Sequence, residues 1–161
     1  MRFLLPLAVV IAAPSHAFAD DAELRKKDAI EASCNSQTLL EALECLRSHL
    51  SEDDHETVVN SSFDKLAMYH FGWGTGIRNS WGLWAGNTPI SQYFRDLGVS
   101  HPDDMSGIII DSYWLYFNDC DIQLDKQVAY YQAYWSQEDT EADETSAEAF
   151  SFNKNSLECK T

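Results

Sequence analysis

Apolar residues recur along this chain at steps of three and four, and no stretch alternates apolar with polar residues in the manner of a half-buried strand. That periodicity restricts the chain to helices that bury one face. From Gln37 to Leu50 the stripe is Leu39, Leu43, Leu46 and Leu50, with Glu41, Glu44 and Arg47 on the remaining surface. Ser51-Glu-Asp-Asp54 follows and offers the Ser51 hydroxyl as cap of a short helix through Val58 and Val59. Ser61 and Ser62 offer another cap, after which Phe63, Leu66, His70, Gly74, Ile77, Trp81 and Trp84 keep the three- and four-residue steps. This predicts one continuous helix through the stretch HFGWGTGIRNSWGLW, residues 70–84.

That stretch holds Gly72, Gly74 and Gly76 within five residues. Each interior glycine costs a helix up to about 1 kcal/mol relative to alanine. A neighbouring helix or a ligand approaching the glycine surface closely is the physical candidate for offsetting that cost. A phosphate-cradling loop fits poorly, because no strand precedes the glycines, no Lys-Ser/Thr pair follows them and their spacing differs.

Gly86-Asn87 breaks the pattern, and Thr88-Pro89 opens a helix whose apolar face is Ile90, Tyr93, Phe94 and Leu97, ended by Gly98. In HPDDMSGIIIDSYWLYF, Ser100 or His101 caps, Pro102 takes the first helical position, and Asp103 and Asp104 suit the positive end of the macrodipole. The β-branched and aromatic run IIIDSYWLYF has strand composition. The caps and the four-residue step Met105, Ile109, Ser112, Tyr116 decide for helix. A last helix spans about Leu124 to Trp135, with Leu124, Val128, Tyr131 and Trp135 inward. The fold class expected is all-α, a small single-domain bundle of about five helices.

The ends locate the chain. Residues 1–19 carry one base, an apolar core from Phe3 to Ala13 and Ala17-Phe18-Ala19, which is the pattern of a secretory signal peptide with cleavage before Asp20. The apolar core is shorter than the roughly 20 residues a membrane span needs, so no stable membrane anchor is expected. Residues 20–136 form the helical domain, and residues 137–161 an acidic tail that ends near Cys159. An exported protein, periplasmic or secreted, is expected. Its four cysteines, Cys34, Cys45, Cys120 and Cys159, are even in number and lack a C-x-x-C, which favours two disulfides over a zinc site. Three pairings remain open. The net charge of −15 becomes −16 without the leader, which holds one base and no acid. Such a surface repels phosphate backbones, so nucleic acid is excluded as partner.

With HFGWGTGIRNSWGLW, ISQYFRDLG, HPDDMSGIIIDSYWLYFN and VAYYQAYW in this order, the chain resembles an uncharacterised bacterial domain family, one of the domains of unknown function, over about residues 38–135. The resemblance implies a small, mainly helical domain and brings no reaction, cofactor or partner.

Candidate contact residues are His70, Trp73, Arg78, Asn79, Trp81, His101, Asp103 and Asp104. Imidazole titrates near neutrality and guanidinium grips anions in a fork, so a small hydrolase with His70 or His101 as base and Arg78 as anion clamp is one reading. The other, which the absence of nucleophile–base spacing favours, is a module that binds a protein or a cell-envelope ligand. His101, Asp103 and Asp104 are metal-ligand types, but helix capping accounts for all three, and no metal or cofactor is expected. Arg78 is the one base between Lys65 and Arg95 and is expected to pair with Asp103 and Asp104, its fork bridging both. Most aromatics are expected in the core, with Trp73, off the stripe and between glycines, the exception to watch.

Overall fold

The computed structural model describes residues 34–138 and Cys159. The leader 1–19 and most of the acidic tail lie outside the described residues. The elements are α1 (Leu39–His49), α2 (Glu52–Val59), a 3-10 helix η1 (Phe63–His70), α3 (Trp73–Ser80), α4 (Pro89–Asp96), α5 (Pro102–Phe117) and α6 (Leu124–Glu138). The architecture is all-α, and no strand occurs among the described residues.

Helix α5 is the axis on which every other helix packs. Its sequence explains that position. Met105, Ile108, Ile109, Ile110, Tyr113 and Leu115 are all buried and cover most of the circumference, leaving the side of Gly107 and Asp111 partly open, and a helix with so wide an apolar face must be largely enclosed. The β-branched run therefore ends up helical because tertiary burial and the caps outweigh its strand propensity. The predicted faces of α1 (Leu39, Leu43, Leu46 and Leu50) and α4 (Ile90 and Phe94) are buried against it. Tyr116, predicted inward on α5, is partly exposed.

The caps expected at Ser51 and His101 form, whereas Ser62, which precedes η1, makes no side-chain cap bond. Ser51 Oγ accepts from Asp54 N at 3.1 Å, and His101 rather than Ser100 caps α5, its Nδ1 accepting from Asp103 N at 3.2 Å. Gly98 ends α4 at φ +83°, with Val99 N donating to Phe94 O at 2.9 Å in the six-to-one bond of a Schellman close. Three polar ties hold α2 and the turn after it to α5: the Tyr113 hydroxyl to His55 Nδ1 at 2.8 Å, Trp114 Nε1 to Ser61 O at 2.8 Å, and Asn118 Nδ2 to Val59 O at 3.2 Å.

The expectation of one continuous helix through residues 63–84 is corrected. The segment is η1, a break at Phe71-Gly72, the two-turn α3, and a turn from Trp81 to Gly86. Gly72 departs from helical geometry with φ −93° and ψ −83°. Gly82 takes φ +63°, and Leu83 N donates to Arg78 O at 3.1 Å, so α3 ends in a second Schellman close that only a residue tolerant of the left-handed region permits. The stripe survives the breaks in part: Leu66, Ile77 and Trp81 are buried, whereas Trp84 lies on the surface, 57% exposed.

Of the three open pairings, Cys34–Cys45 and Cys120–Cys159 are formed. The first fastens the segment before α1 onto α1; the second fastens the C-terminal cysteine to the turn after α5. Structural disulfides of this kind belong to an oxidising environment. Among the described residues no helix is long and apolar enough to cross a membrane.

Candidate functional site

The N-terminal turn of α5 meets the end of η1 and the middle of α3, and this junction gathers most of the polar residues singled out from the sequence. Asp103 is its centre. Its Oδ1 accepts from Arg78 Nε at 2.9 Å and lies 3.4 Å from His70 Nε2, while Oδ2 is 3.5 Å from His101 Nδ1. Arg78 is buried, at 7% exposure, and its remaining donors also stay within the chain. Nη1 donates to Ser106 Oγ at 2.8 Å and to His70 O at 3.4 Å, and Nη2 donates to Thr75 Oγ1 at 3.0 Å. A guanidinium held by four acceptors of its own fold satisfies the rule that buried charge is paired and hydrogen-bonded.

Gly74, the middle one of the three closely spaced glycines, finds its reason here. A Cβ on Gly74 would stand 2.7 Å from Arg78 Nη1 and 3.5 Å from both Ile110 Cδ1 and Ser106 Oγ. Gly74 therefore leaves the space in which Arg78 crosses from α3 to α5. Gly72 meets nothing within 4 Å and serves instead at the break.

One expectation about Arg78 is corrected: its fork does not bridge Asp103 and Asp104. Successive residues of a helix point about 100° apart, so the two carboxylates leave α5 in different directions. Asp103 faces α3, and Asp104 faces α6, where its Oδ2 accepts from Trp135 Nε1 at 2.6 Å. Burial pushes the Asp104 carboxyl above the usual carboxylate range, against the opposing effects of the Trp135 hydrogen bond and the His101 charge. Above it, Trp84, His101 and Trp135 form a row of rings, with centroids 6.1 and 5.1 Å apart.

Three of the predicted residues do not join the junction. Trp81 is buried in the core and Asn79 is exposed elsewhere on α3. Trp73 is partly buried, packed on Tyr69 and Tyr113 at 5.5 and 5.8 Å, so it serves the core and not an open surface. Conversely, Ser106 and Trp135 take part without having been singled out. Ser106 lies three residues after Asp103, on the same helix face, and that spacing was a usable signal; nothing in the sequence couples Trp135 to Asp104 across thirty-one positions.

Beside the junction, and sharing His70 with it, an open groove of about 520 Å³ runs between η1, α5 and α6. Its walls include Phe63, Leu66, Phe71, Ile110, Tyr130 and Tyr131, and Asp64 and Asp111 stand among them. Gly107 on α5 lets Tyr131 lie close, since a Cβ there would come 2.5 Å from the tyrosine hydroxyl. Burial, reinforced by the neighbouring acids Asp111 and Asp104, raises the Tyr131 phenol well above its ordinary range, so it stays protonated as a hydrogen-bonding group. Phe71 at 84% exposure and Met68 at 73% project from η1 and the residue after it.

A family model described as a domain of unknown function (DUF6794) matches residues 37–117, half of the chain. The chain belongs to the DUF6794 family. The match runs from the start of α1 to the end of α5 and so contains Asp103 with His70, Arg78, His101 and Ser106, whereas α6, with VAYYQAYW, Trp135 and one wall of the groove, lies beyond it. No curated protein and no solved structure matches the chain. Family membership thus supports the helical domain and assigns no chemistry to the junction or the groove.

Proposed function

We propose that this member of the DUF6794 family is an exported binding module that takes an apolar, positively charged segment of a partner protein in the groove between η1, α5 and α6. The observation that carries this reading is the pairing of an aromatic and aliphatic groove of about 520 Å³ with two strongly exposed apolar side chains, Phe71 in its wall and Met68 on η1. Large apolar side chains left in water beside a concave apolar surface mark interaction sites more often than catalytic ones. Charge selects the occupant. The chain carries −15, and Asp64 and Asp111 line the groove, so a segment with lysine or arginine beside its apolar anchors gains attraction where an acidic one is repelled. The chain's own segment 139–158 contains six acids and one lysine and is a poor occupant on that ground.

The hydrolase alternative draws less support. An anion clamp needs donors pointing outward, and four of the five N–H groups of Arg78 are spent on Asp103, Ser106, His70 and Thr75.

The test is a fluorescence titration with a synthetic peptide of alternating leucine and lysine, set against its glutamate counterpart. Preferential, salt-sensitive binding of the basic peptide, weakened at least about tenfold by Phe71→Asp with an unchanged helical signal, is the expected result. Equal binding of both peptides, or a Phe71→Asp variant that binds like the parent, refutes the reading.

A further inference from the structure

At the opposite end of the sequence from the groove's α6 wall, the first disulfide has a histidine beside it. Cys34 Sγ, Cys45 Sγ and His49 Nδ1 all lie within 4.8 Å of one another. Cys45 and His49 are one turn apart on α1 and so share a face, which is the spacing by which a helix presents two ligands to one ion. The Cys45 Sγ to His49 Nδ1 distance is 3.8 Å. That is close to the edge, about 3.6 Å, of a tetrahedron with metal–sulfur bonds of about 2.3 Å and metal–nitrogen bonds of about 2.1 Å. Among the described residues this is the one group of three such donors that converges in this way. His101, Asp103 and Asp104 do not.

We propose that Cys34, Cys45 and His49 form a redox-gated site for a thiophilic d10 cation, closed as a disulfide and opened by reduction. The step needs a dithiol reductant, which gives two electrons and two protons to the Cys34–Cys45 bond and leaves as its own disulfide. The cation then displaces one proton from each thiol and binds the two thiolates. His49 completes the set by a change of tautomer. At present its Nδ1 faces Cys45 O at 2.8 Å and must donate to it, since a carbonyl only accepts. Moving that proton to Nε2 frees Nδ1 as a ligand and leaves the ring neutral. The Cys45 carbonyl keeps a donor, because Ser48 Oγ also bonds it at 2.7 Å.

Softness and access define the ligand. Two thiolates and an imidazole suit zinc(II) or copper(I) and not magnesium or calcium, which take oxygen donors. Cys34 is buried while Cys45 and His49 are partly exposed, so an ion has a side from which to enter and zinc(II) would have room for a solvent ligand as fourth. The bound ion does the mechanical work of the disulfide. It holds the segment before α1 against α1 across the same eleven-residue separation.

The experiment uses the full chain reduced with a phosphine, then titrated anaerobically with zinc(II) in one arm and copper(I) in another, with cobalt(II) as the spectroscopic stand-in for zinc. One ion per chain is expected in at least one arm, with thiolate-to-cobalt charge-transfer absorption if zinc(II) is the ligand. In the same sample the ion should protect Cys34 and Cys45 from alkylation and leave Cys120 and Cys159 labelled. His49→Gln should weaken binding at least about tenfold, in line with the loss of one ligand of three. If reduction unfolds the chain, the ion should restore the helical signal. No uptake in either arm, equal protection of all four cysteines, or a His49→Gln variant that binds like the parent overturns the proposal.

Discussion

Replacing Arg78 by lysine keeps the charge and removes the fork, and the structure allows the cost to be worked out. A lysine ammonium reaching the junction can serve Asp103, but it cannot also donate to Ser106 Oγ, His70 O and Thr75 Oγ1, which the guanidinium reaches at 2.8, 3.4 and 3.0 Å. Two of these bonds are well formed, and at about 1 kcal/mol each their loss comes to about 2 kcal/mol. The contact with Asp103 adds little to the difference. That carboxylate is 36% exposed, so solvent screens the pair and either cation serves it. For a helical domain of this size about 2 kcal/mol lowers the melting temperature by roughly 8–16 °C. Gly74 supplies an internal control. Its Cβ would press on Arg78 Nη1, so Gly74→Ala should destabilise the parent despite gaining up to about 1 kcal/mol of helix propensity. In the Arg78→Lys background that pressure is relieved, and the same alanine should be neutral or stabilising. Thermal and urea melts of the four proteins, followed by far-ultraviolet circular dichroism, yield the coupling energy. A melting temperature unmoved by Arg78→Lys refutes the argument, and so does a Gly74→Ala effect of the same sign and size in both backgrounds.

The raised pKa of Asp104 makes a pH prediction. A carboxyl whose folded pKa lies above its unfolded value contributes stability that is fully present below the unfolded pKa and is lost as pH rises through the folded one. Asp104→Asn, which can still accept from Trp135 Nε1, should therefore melt higher than the parent at pH 7, and melting curves taken down to pH 3 should show that advantage shrinking. The disulfides should appear in mass spectra as complete protection from alkylation before reduction, with Cys34–Cys45 and Cys120–Cys159 as the linked peptides. On loop entropy their separate loss should cost about 3 and 4 kcal/mol for separations of 11 and 39 residues. Gly107→Ala should drive the Tyr131 hydroxyl off α5, a change of about 1–3 kcal/mol by urea denaturation that Tyr131→Phe partly rescues.

Much of this protein is local, and what is local was legible in its sequence. The periodicity of Leu39, Leu43 and Leu46 marked α1 and its buried face. Thr88-Pro89, His101-Pro102 and Gly98 marked where helices begin and end, because caps act through hydrogen bonds only two to five residues long. The pairing of Arg78 with Asp103 was also legible, since an isolated cation in an aromatic stripe must find a carboxylate and the α5 cap offered two. Which of the two it takes was not. That depends on how α5 is rotated against α3 and α6, a choice made by the packing of Met105, Ile109 and Ile110. The break of residues 63–84 into three pieces was missed for a related reason: apolar spacing is nearly the same in a 3-10 turn, an α-helix and a left-handed glycine close, and only the backbone geometry at Gly72 and Gly82 distinguishes them. The cysteine pairing, the bond from Trp135 to Asp104 and the groove lined by Phe63 and Tyr131 join residues far apart in the chain. No periodicity carries such contacts, because they exist only once α5 has been enclosed and its neighbours have been assigned their sides.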